Sequence, residues 1–526
     1  MGVTARQAAL VAGLLAAVVA APSIRNGFAA DDRWIIAERP LLQHPPSLGA
    51  VLQEPYWPAG FGGSLWRPVV LASYALDYRL GGSPHWFHAV NVFWAAVATA
   101  VLTLLACRLA DPTIGLVTGL LFAVHPVHVE AIANVVGRAE LMAGAGYAAA
   151  LLFALSERRA VQAIGVALCA AFAIGSKELA ATLPASIVLV YVARGGRSNV
   201  RAALRPAAAA LLPIVGYYVA HASVGAGILG AGGTAPGLEG LGLLQRAWAM
   251  LPLTLEWWRL LLVPIHLASD YSPAELIVTT RFTLGHVVGA LVWVGAGGAA
   301  WRWGRTLPGA ALGLAWMIIT VSPVANIVVP TELLVAERTL YLPSFGLVFG
   351  LASLGVGWVA SSWPVRWRVV LAALIVVLGA GRSIAREGVW RDDETLFQAA
   401  KRDAPRSYRT LWMVGKDEFQ AGRWGSGERL LREAIDAAPA VVGPRFDLAR
   451  FYWDAKLWKP AAEQLTAATA IDSAFVPAWR LLPGALLAEG DTVRAGNAAR
   501  SALRLFPDDP DIKTSATAVL SAGHPR

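Results

Sequence analysis

Two adjacent carboxylates, Asp31 and Asp32, follow an apolar run from Ala8 to Ile24. They stand where a membrane helix would leave the bilayer. Further ionisable groups recur beside later apolar runs: His125, His128 and Glu130, then Arg138 and Glu140, Lys177 and Glu178, Asp270, and Glu337 with Arg338. Such groups are costly at a bilayer, so repeated clusters of them invite a functional reading. The chemistry they suit is sugar transfer from a polyprenyl-phosphate donor. An acceptor hydroxyl must lose its proton as it attacks the anomeric carbon, and a partly desolvated carboxylate at the membrane surface can take it. The departing lipid phosphate gains negative charge, and Arg138, Lys177 and Arg338 are the cations available to meet it. No Walker or dinucleotide fingerprint accompanies them, which disfavours soluble nucleotide chemistry.

Each cluster has a plainer alternative. Asp31-Asp32 equally suits the solvated end of a helix. His125, His128 and Glu130 match no strong zinc spacing, and a hydrogen-bonded polar patch fits them better than a metal site. Arg138 with Glu140, Glu337 with Arg338, and Lys177 with Glu178 also suit local ion pairs that fix helix ends and loops.

These residues must be placed by membrane helices. The chain has 526 residues, 56% in the apolar set and 15% charged, against about 25% charged in an average soluble domain. The deficit is concentrated in residues 1–384, while 385–526 resemble soluble sequence, so two domains are expected. A bilayer core needs about 20 apolar residues per helix. Candidate spans are Ala8–Ile24, His85–Leu109, Thr113–Val127, Leu141–Leu155, Val161–Ile174, Leu179–Val192, Pro206–His221, Leu284–Trp301, Leu307–Val324, Leu340–Ala360 and Val369–Gly381. Met1 to Ala21 also has the form of a secretory signal, but the many spans that follow favour an uncleaved first span. Trp248–Leu267 carries Glu256, Arg259 and paired indoles, which suit an interfacial or re-entrant helix. Trp66–Leu80 reads as an amphipathic helix in the membrane plane, with Val69, Val70, Ser73, Leu76 and Leu80 near one face.

The net charge is +9, yet the arginines cluster in short loops between spans, where they orient helices rather than bind nucleic acid. Arg158 and Arg159, then Arg194, Arg197, Arg201 and Arg205, then Arg302 and Arg305, then Arg366 and Arg368 fall on one side only if Trp248–Leu267 does not cross. That side is cytoplasmic by the positive-inside rule. Eleven spans then place the N-terminus inside, and both the ionisable clusters and the C-terminal domain outside. Cys107 and Cys169 lie within apolar runs and are expected as buried free thiols.

In the C-terminal part Trp390, Trp424 and Trp458 recur every 34 residues, and Pro405, Pro439 and Pro507 keep the same register. A period of 34 with a terminal proline marks tetratricopeptide repeats. Ala434 and Ala502 occupy equivalent small positions where paired helices approach. About three full units and a leading half-unit fit residues 386–526. Such solenoids bind extended peptides on a concave face, and a rigid spacer is the alternative use.

Taken together, these blocks resemble the transmembrane and tetratricopeptide-repeat O-mannosyltransferase family. The likeness rests on Asp31-Asp32-Arg33-Trp34-Ile35-Ile36, Trp66-Arg67-Pro68, Phe87-His88-Ala89-Val90-Asn91, Leu121 to Ala131, Val136-Gly137-Arg138-Ala139-Glu140-Leu141, Lys177-Glu178 and Ala336 to Ser344, in that order and followed by repeats. The resemblance implies an all-α fold: a GT-C-like polytopic membrane bundle of about 11 spans, then an α-solenoid. It implies a polyprenyl-phosphate mannose or other hexose as donor, inversion at the sugar, no metal or cofactor, and a Ser/Thr hydroxyl of an exported protein as acceptor. In that class an acidic residue of the first outer loop is the base, a role carried here onto Asp32 with Asp31 beside it. Donor-phosphate binding is carried onto Arg138, Arg338 and Lys177, with His125, His128, Glu140, Glu178 and Glu337 in support. The array is short for the family, and the chain is read as a bacterial member of it, placed in the inner membrane. Two other classes stay open. A non-catalytic scaffold would present repeats to periplasmic partners. A transporter would carry charges at the midplane, whereas here they lie at span ends.

Overall fold

The computed structural model describes residues 2–58, 65–224, 233–357 and 364–522. Among them the regular structure is helical, with one isolated bridge between Pro273 and Leu276. The chain forms two compact units. The first takes Met1–Ser269 and Thr279–Asp403, and the second takes Asp270–Val278 and Ala404–Arg526. A cut at 384/385 therefore falls inside the first unit.

In the first unit, nine helices among the described residues are long and apolar enough to cross a membrane: Ala5–Arg25, Pro84–Leu109, Val135–Ala154, Arg159–Ser176, Glu178–Gly195, Val200–Ser223, Leu284–Trp303, Glu337–Val356 and Val365–Trp390. Pro112–Ala123 and Pro126–Ala133 make a tenth, bent by 55°. Pro126 lies at that break, where its ring and missing N–H interrupt the helical ladder. Pro308–Val324 is a shorter apolar helix. These elements occupy the eleven expected positions, although residues 358–360 of one expected span, and the side chain of Arg197, lie outside what is described. Helix Leu243–Leu262 is not among the candidate spans. It carries Arg246, Glu256 and Arg259, the last two paired, and leaves Leu243, Leu244 and Trp248 exposed.

The helix starts are written locally. Ser83 and Asp111 accept backbone N–H bonds at the heads of helices Pro84–Leu109 and Pro112–Ala123, each with proline in its first turn. Helices Pro308–Val321 and Tyr341–Gly357 pack through Gly313 and Gly346, where a Cβ on either would strike the other's carbonyl oxygen. Small residues permit that approach in a membrane.

The helix expected at Trp66–Leu80 runs Pro68–Leu80, but it does not lie on the apolar face predicted. Leu76 and Leu80 are exposed. The buried face is Val70, Leu71, Tyr74 and Ala75, packed with Ile35, Ile36, Phe87, Val135 and Val136. The reason is polar: the same helix turns Ser73 and Asp77 inward to Arg138.

The second unit is built from helix pairs. First helices begin at 408, 442, 476 and 510, and second helices at 424, 458 and 492, each series stepping by 34. Ala434, Ala468 and Ala502 are completely buried at the pair crossings. Segment Asp270–Val278 belongs to this unit: the Tyr408 N–H donates to the Pro273 carbonyl at 3.1 Å, and Arg409 pairs with Asp270 at 3.1 Å.

Candidate active site

The acidic pair opens a helical turn that continues as a single π turn, Arg33–Ala37, and follows the short loop 26–30 after the first helix. Its two members point different ways. Asp32 is 1% exposed. Its Oδ2 accepts the Val135 N–H at 3.1 Å and its Oδ1 the Val136 N–H at 2.8 Å. Burial pushes its carboxyl up to about 7, with the two amides opposing the rise and the neighbouring Asp31 charge adding to it. Asp31 keeps a side chain 35% exposed and lies 3.9 Å from Arg338 Nη2.

Arg338 is fixed from the other side by Glu130, which accepts from Nη1 at 2.5 Å and from the Arg338 backbone N–H at 2.9 Å. Glu130 thus aims the guanidinium edge at Asp31. Glu140 also lies within electrostatic reach of Arg338, and so does Lys177. Lys177 pairs with Glu140, and both are buried. Arg67 grips Glu178 through Nε at 3.1 Å and Nη2 at 2.9 Å. The result is a row of alternating charge, Asp31, Arg338 and Glu130 beside Glu140 and Lys177, drawn from widely separated stretches of sequence.

The local ion pairs expected from adjacency do not form. Arg138 pairs with Asp77 instead of Glu140, Glu140 with Lys177, Glu178 with Arg67, and Arg338 with Glu130. Neighbouring residues in a helical turn diverge around the axis, so such charges seek partners elsewhere.

Arg138, expected as a phosphate ligand, is completely buried. Its Nε donates to Asn91 Oδ1 at 2.7 Å, Nη1 to Ser73 Oγ at 3.2 Å and to Asp77, and Nη2 to the Phe87 carbonyl at 2.9 Å. Tyr74 and Phe87 cover it at 4.8 and 5.7 Å from their ring centres. Every guanidinium nitrogen donates at least one bond, and the side chain has no exposed surface from which to meet a headgroup. Asn91 in turn donates to the carbonyls of Ile132, Asn134 and Val135, so Arg138 holds the segment whose amides bind Asp32.

His125 Nε2 bonds the Leu261 carbonyl at 3.0 Å, and His128 Nε2 bonds Ser344 Oγ at 2.7 Å. Both therefore tie helices together, in keeping with a polar patch. Glu337 accepts the Ala268 N–H at 2.8 Å. Among the described residues, no three His, Cys, Asp or Glu side chains gather as metal ligands. Cys107 and Cys169 are free thiols, but only Cys107 is buried as expected, and Cys169 is part-exposed. The residues that sequence reasoning did not place in the site are Arg67 and Asp77, while Glu130 was grouped with the two histidines rather than with Arg338. Arg67 stands in the conspicuous Trp66-Arg67-Pro68 block, which was signal enough; nothing in the sequence marked Asp77.

No family model matches the sequence. The chain is 26% identical over 431 residues to protein O-mannosyl-transferase F38B6.6 of Caenorhabditis elegans, covering 78% of this chain and 60% of that protein. It is 27% identical over 540 residues to Drosophila melanogaster protein O-mannosyl-transferase Tmtc1, covering 82% and 62%. Against human protein O-mannosyl-transferase TMTC4 the identity is 26% over 493 residues, covering 79% and 64%. The homologues thus bear out the resemblance read from the motif series, and the chain spans about three-fifths of their length. Among solved structures, the archaeal oligosaccharyltransferase AglB of Archaeoglobus fulgidus, in complex with an inhibitory peptide and a dolichol-phosphate, aligns at TM-score 0.41 and 14% identity over 72% of this chain and 56% of that one. The first tetratricopeptide domain of Spaghetti (RPAP3), bound to an HSP90 peptide, aligns at TM-score 0.21 and 18% identity over 23% and 94%.

Proposed function

We propose that this relative of the protein O-mannosyl-transferases is a membrane glycosyltransferase that moves mannose or another hexose from a polyprenyl-phosphate donor to a Ser or Thr hydroxyl of an exported protein. The single observation that carries the reading is the pairing of a half-exposed carboxylate, Asp31, with Arg338 at 3.9 Å. Geometry comes before pKa in choosing a base. Asp32 is sealed and spends both oxygens on backbone amides, so the base role moves from Asp32 to Asp31, and Asp32 becomes the anchor of the loop.

In this reading Asp31 takes the acceptor hydroxyl proton as the oxygen attacks the anomeric carbon. The bond from that carbon to the phosphate oxygen breaks, and configuration inverts. Arg338 receives the developing phosphate charge, with Lys177 and Arg67 adding positive potential. Arg138 is a structural brace. The chain works without a metal or cofactor of its own, in the inner membrane of a bacterium, with its N-terminus cytoplasmic and this site and the repeats outside. The repeats capture the acceptor.

The test is transfer of labelled hexose from polyprenyl-phosphate mannose to a Ser/Thr-rich peptide by the purified full chain. Asp31→Asn is expected to abolish transfer while the protein still folds. Undiminished transfer by Asp31→Asn refutes the assignment.

A further inference from the structure

The loop that carries Asp31 is not held by its own neighbours alone. Residue 30 is alanine, yet its φ is +50°, a left-handed conformation that residues with a Cβ adopt rarely. Something must hold it there. The Ala30 N–H donates to Asp393 Oδ1 at 2.7 Å. Three further bonds clasp the same loop: the Gly27 N–H to the Arg391 carbonyl at 2.7 Å, Asn26 Nδ2 to the Glu387 carbonyl at 3.0 Å, and His88 Nε2 with the Gly27 carbonyl at 2.9 Å. Those three secure the loop's beginning. Asp393 alone among these partners acts on the residue next to Asp31.

We infer that Asp393 is a positioning residue for transfer: by accepting the Ala30 N–H it fixes the left-handed turn that aims the Asp31 carboxylate at Arg338. The inference rests on the reading of Asp31 as the base. Asp393 does not touch the sugar or the phosphate in this scheme. It begins helix Asp393–Asp403, and Asp392 supplies the bond to the Thr395 N–H there, so the Asp393 carboxylate is left for the loop. Its side chain is exposed, and the three other clasps remain when it is removed. The first helix and the loop therefore stay attached, while the turn at Ala30 is released to relax. A carboxylate displaced by an ångström or so loses much of its value as a base, roughly ten- to a hundredfold in rate.

The experiment uses the full chain in nanodiscs, with polyprenyl-phosphate mannose and a Ser/Thr-rich peptide as probes. Asp393→Ala is expected to lower kcat roughly tenfold or more, with KM for the donor changed less than about twofold and the thermal midpoint nearly unmoved. Asp393→Asn keeps a carbonyl oxygen for the amide and is expected to restore most of kcat. Adding Ala30→Gly to Asp393→Ala is expected to recover part of kcat, because glycine reaches positive φ without the clasp. Unchanged kcat in Asp393→Ala overturns the inference. So does an Asp393→Asn variant as impaired as Asp393→Ala, which would make charge rather than the hydrogen bond the cause, and so does a double variant no better than Asp393→Ala. Asp31→Asn runs beside them: if it transfers normally the base assignment fails, whereas an inactive Asp31→Asn with a normal Asp393→Ala defeats only the positioning role.

Discussion

Replacing Arg138 by methionine should unfold the first unit far more readily without acting through donor binding. The side chain is fully buried, and its nitrogens meet Asn91, Ser73, Asp77 and the Phe87 carbonyl. Methionine fills similar volume, so the loss is chiefly electrostatic. Asp77, only 4% exposed, would keep just the Trp86 indole N–H at 3.2 Å as a named partner. Removing one partner of a buried pair costs about 3–5 kcal/mol, because the other charge is stranded. Arg138→Lys should be little better, since a compact ammonium cannot reach acceptors spread around a planar guanidinium fork. Removing both charges, as Arg138→Met with Asp77→Leu, should return at least half of the loss, because such pairs often replace well with apolar residues. The assay is resistance to denaturant-driven unfolding in detergent, paired with transfer kinetics on the folded fraction. If Arg138→Met unfolds like the parent chain but raises KM for the lipid-linked sugar, the brace is wrong and the residue is a donor ligand after all.

Three other outcomes follow from the same geometry. Asp31→Asn should change folding stability by less than about 1 kcal/mol, since a half-exposed ion pair contributes little, while hexose transfer to peptide, followed by mass spectrometry, disappears. The Asp32 carboxyl, raised from 3.8 to about 7 by burial, binds a proton in the folded chain where the unfolded chain has lost it. Stability should therefore fall as pH rises from about 4 to about 7, by on the order of 4 kcal/mol at the limit, and Asp32→Asn should flatten that slope in pH-dependent unfolding. Gly313→Ala should force helices Pro308–Val321 and Tyr341–Gly357 apart, costing about 1–3 kcal/mol in thermal unfolding, with Gly346→Ala doing the same from the opposite side.

Some of this was legible in the sequence because it repeats. Trp390, Trp424 and Trp458 announce a 34-residue period, Ala434 and Ala502 fall in its register because paired helices close on small residues there, and the structure adds Ala468 between them. The spans were legible because a bilayer demands length and apolarity together. The partners of Arg138 were not. Asn91, Ser73 and Asp77 lie 47, 65 and 61 residues away, and only the tertiary fold brings them near. Helix Pro68–Leu80 buries Val70, Leu71, Tyr74 and Ala75 rather than the face that holds Leu76 and Leu80, in the rotation that also brings Ser73 and Asp77 to Arg138. The division of labour between Asp31 and Asp32 was equally hidden. Adjacent carboxylates look alike in a string of letters, and they part only when one meets the amides of Val135 and Val136.

The repeat array completes itself with a strip of chain that precedes it by more than a hundred residues, Asp270–Val278. No single scissor cut can free it intact. A fragment starting near residue 404 would leave Arg409 without Asp270 and the Tyr408 amide without the Pro273 carbonyl. Anyone grafting these repeats onto another anchor would have to splice in that strip as well.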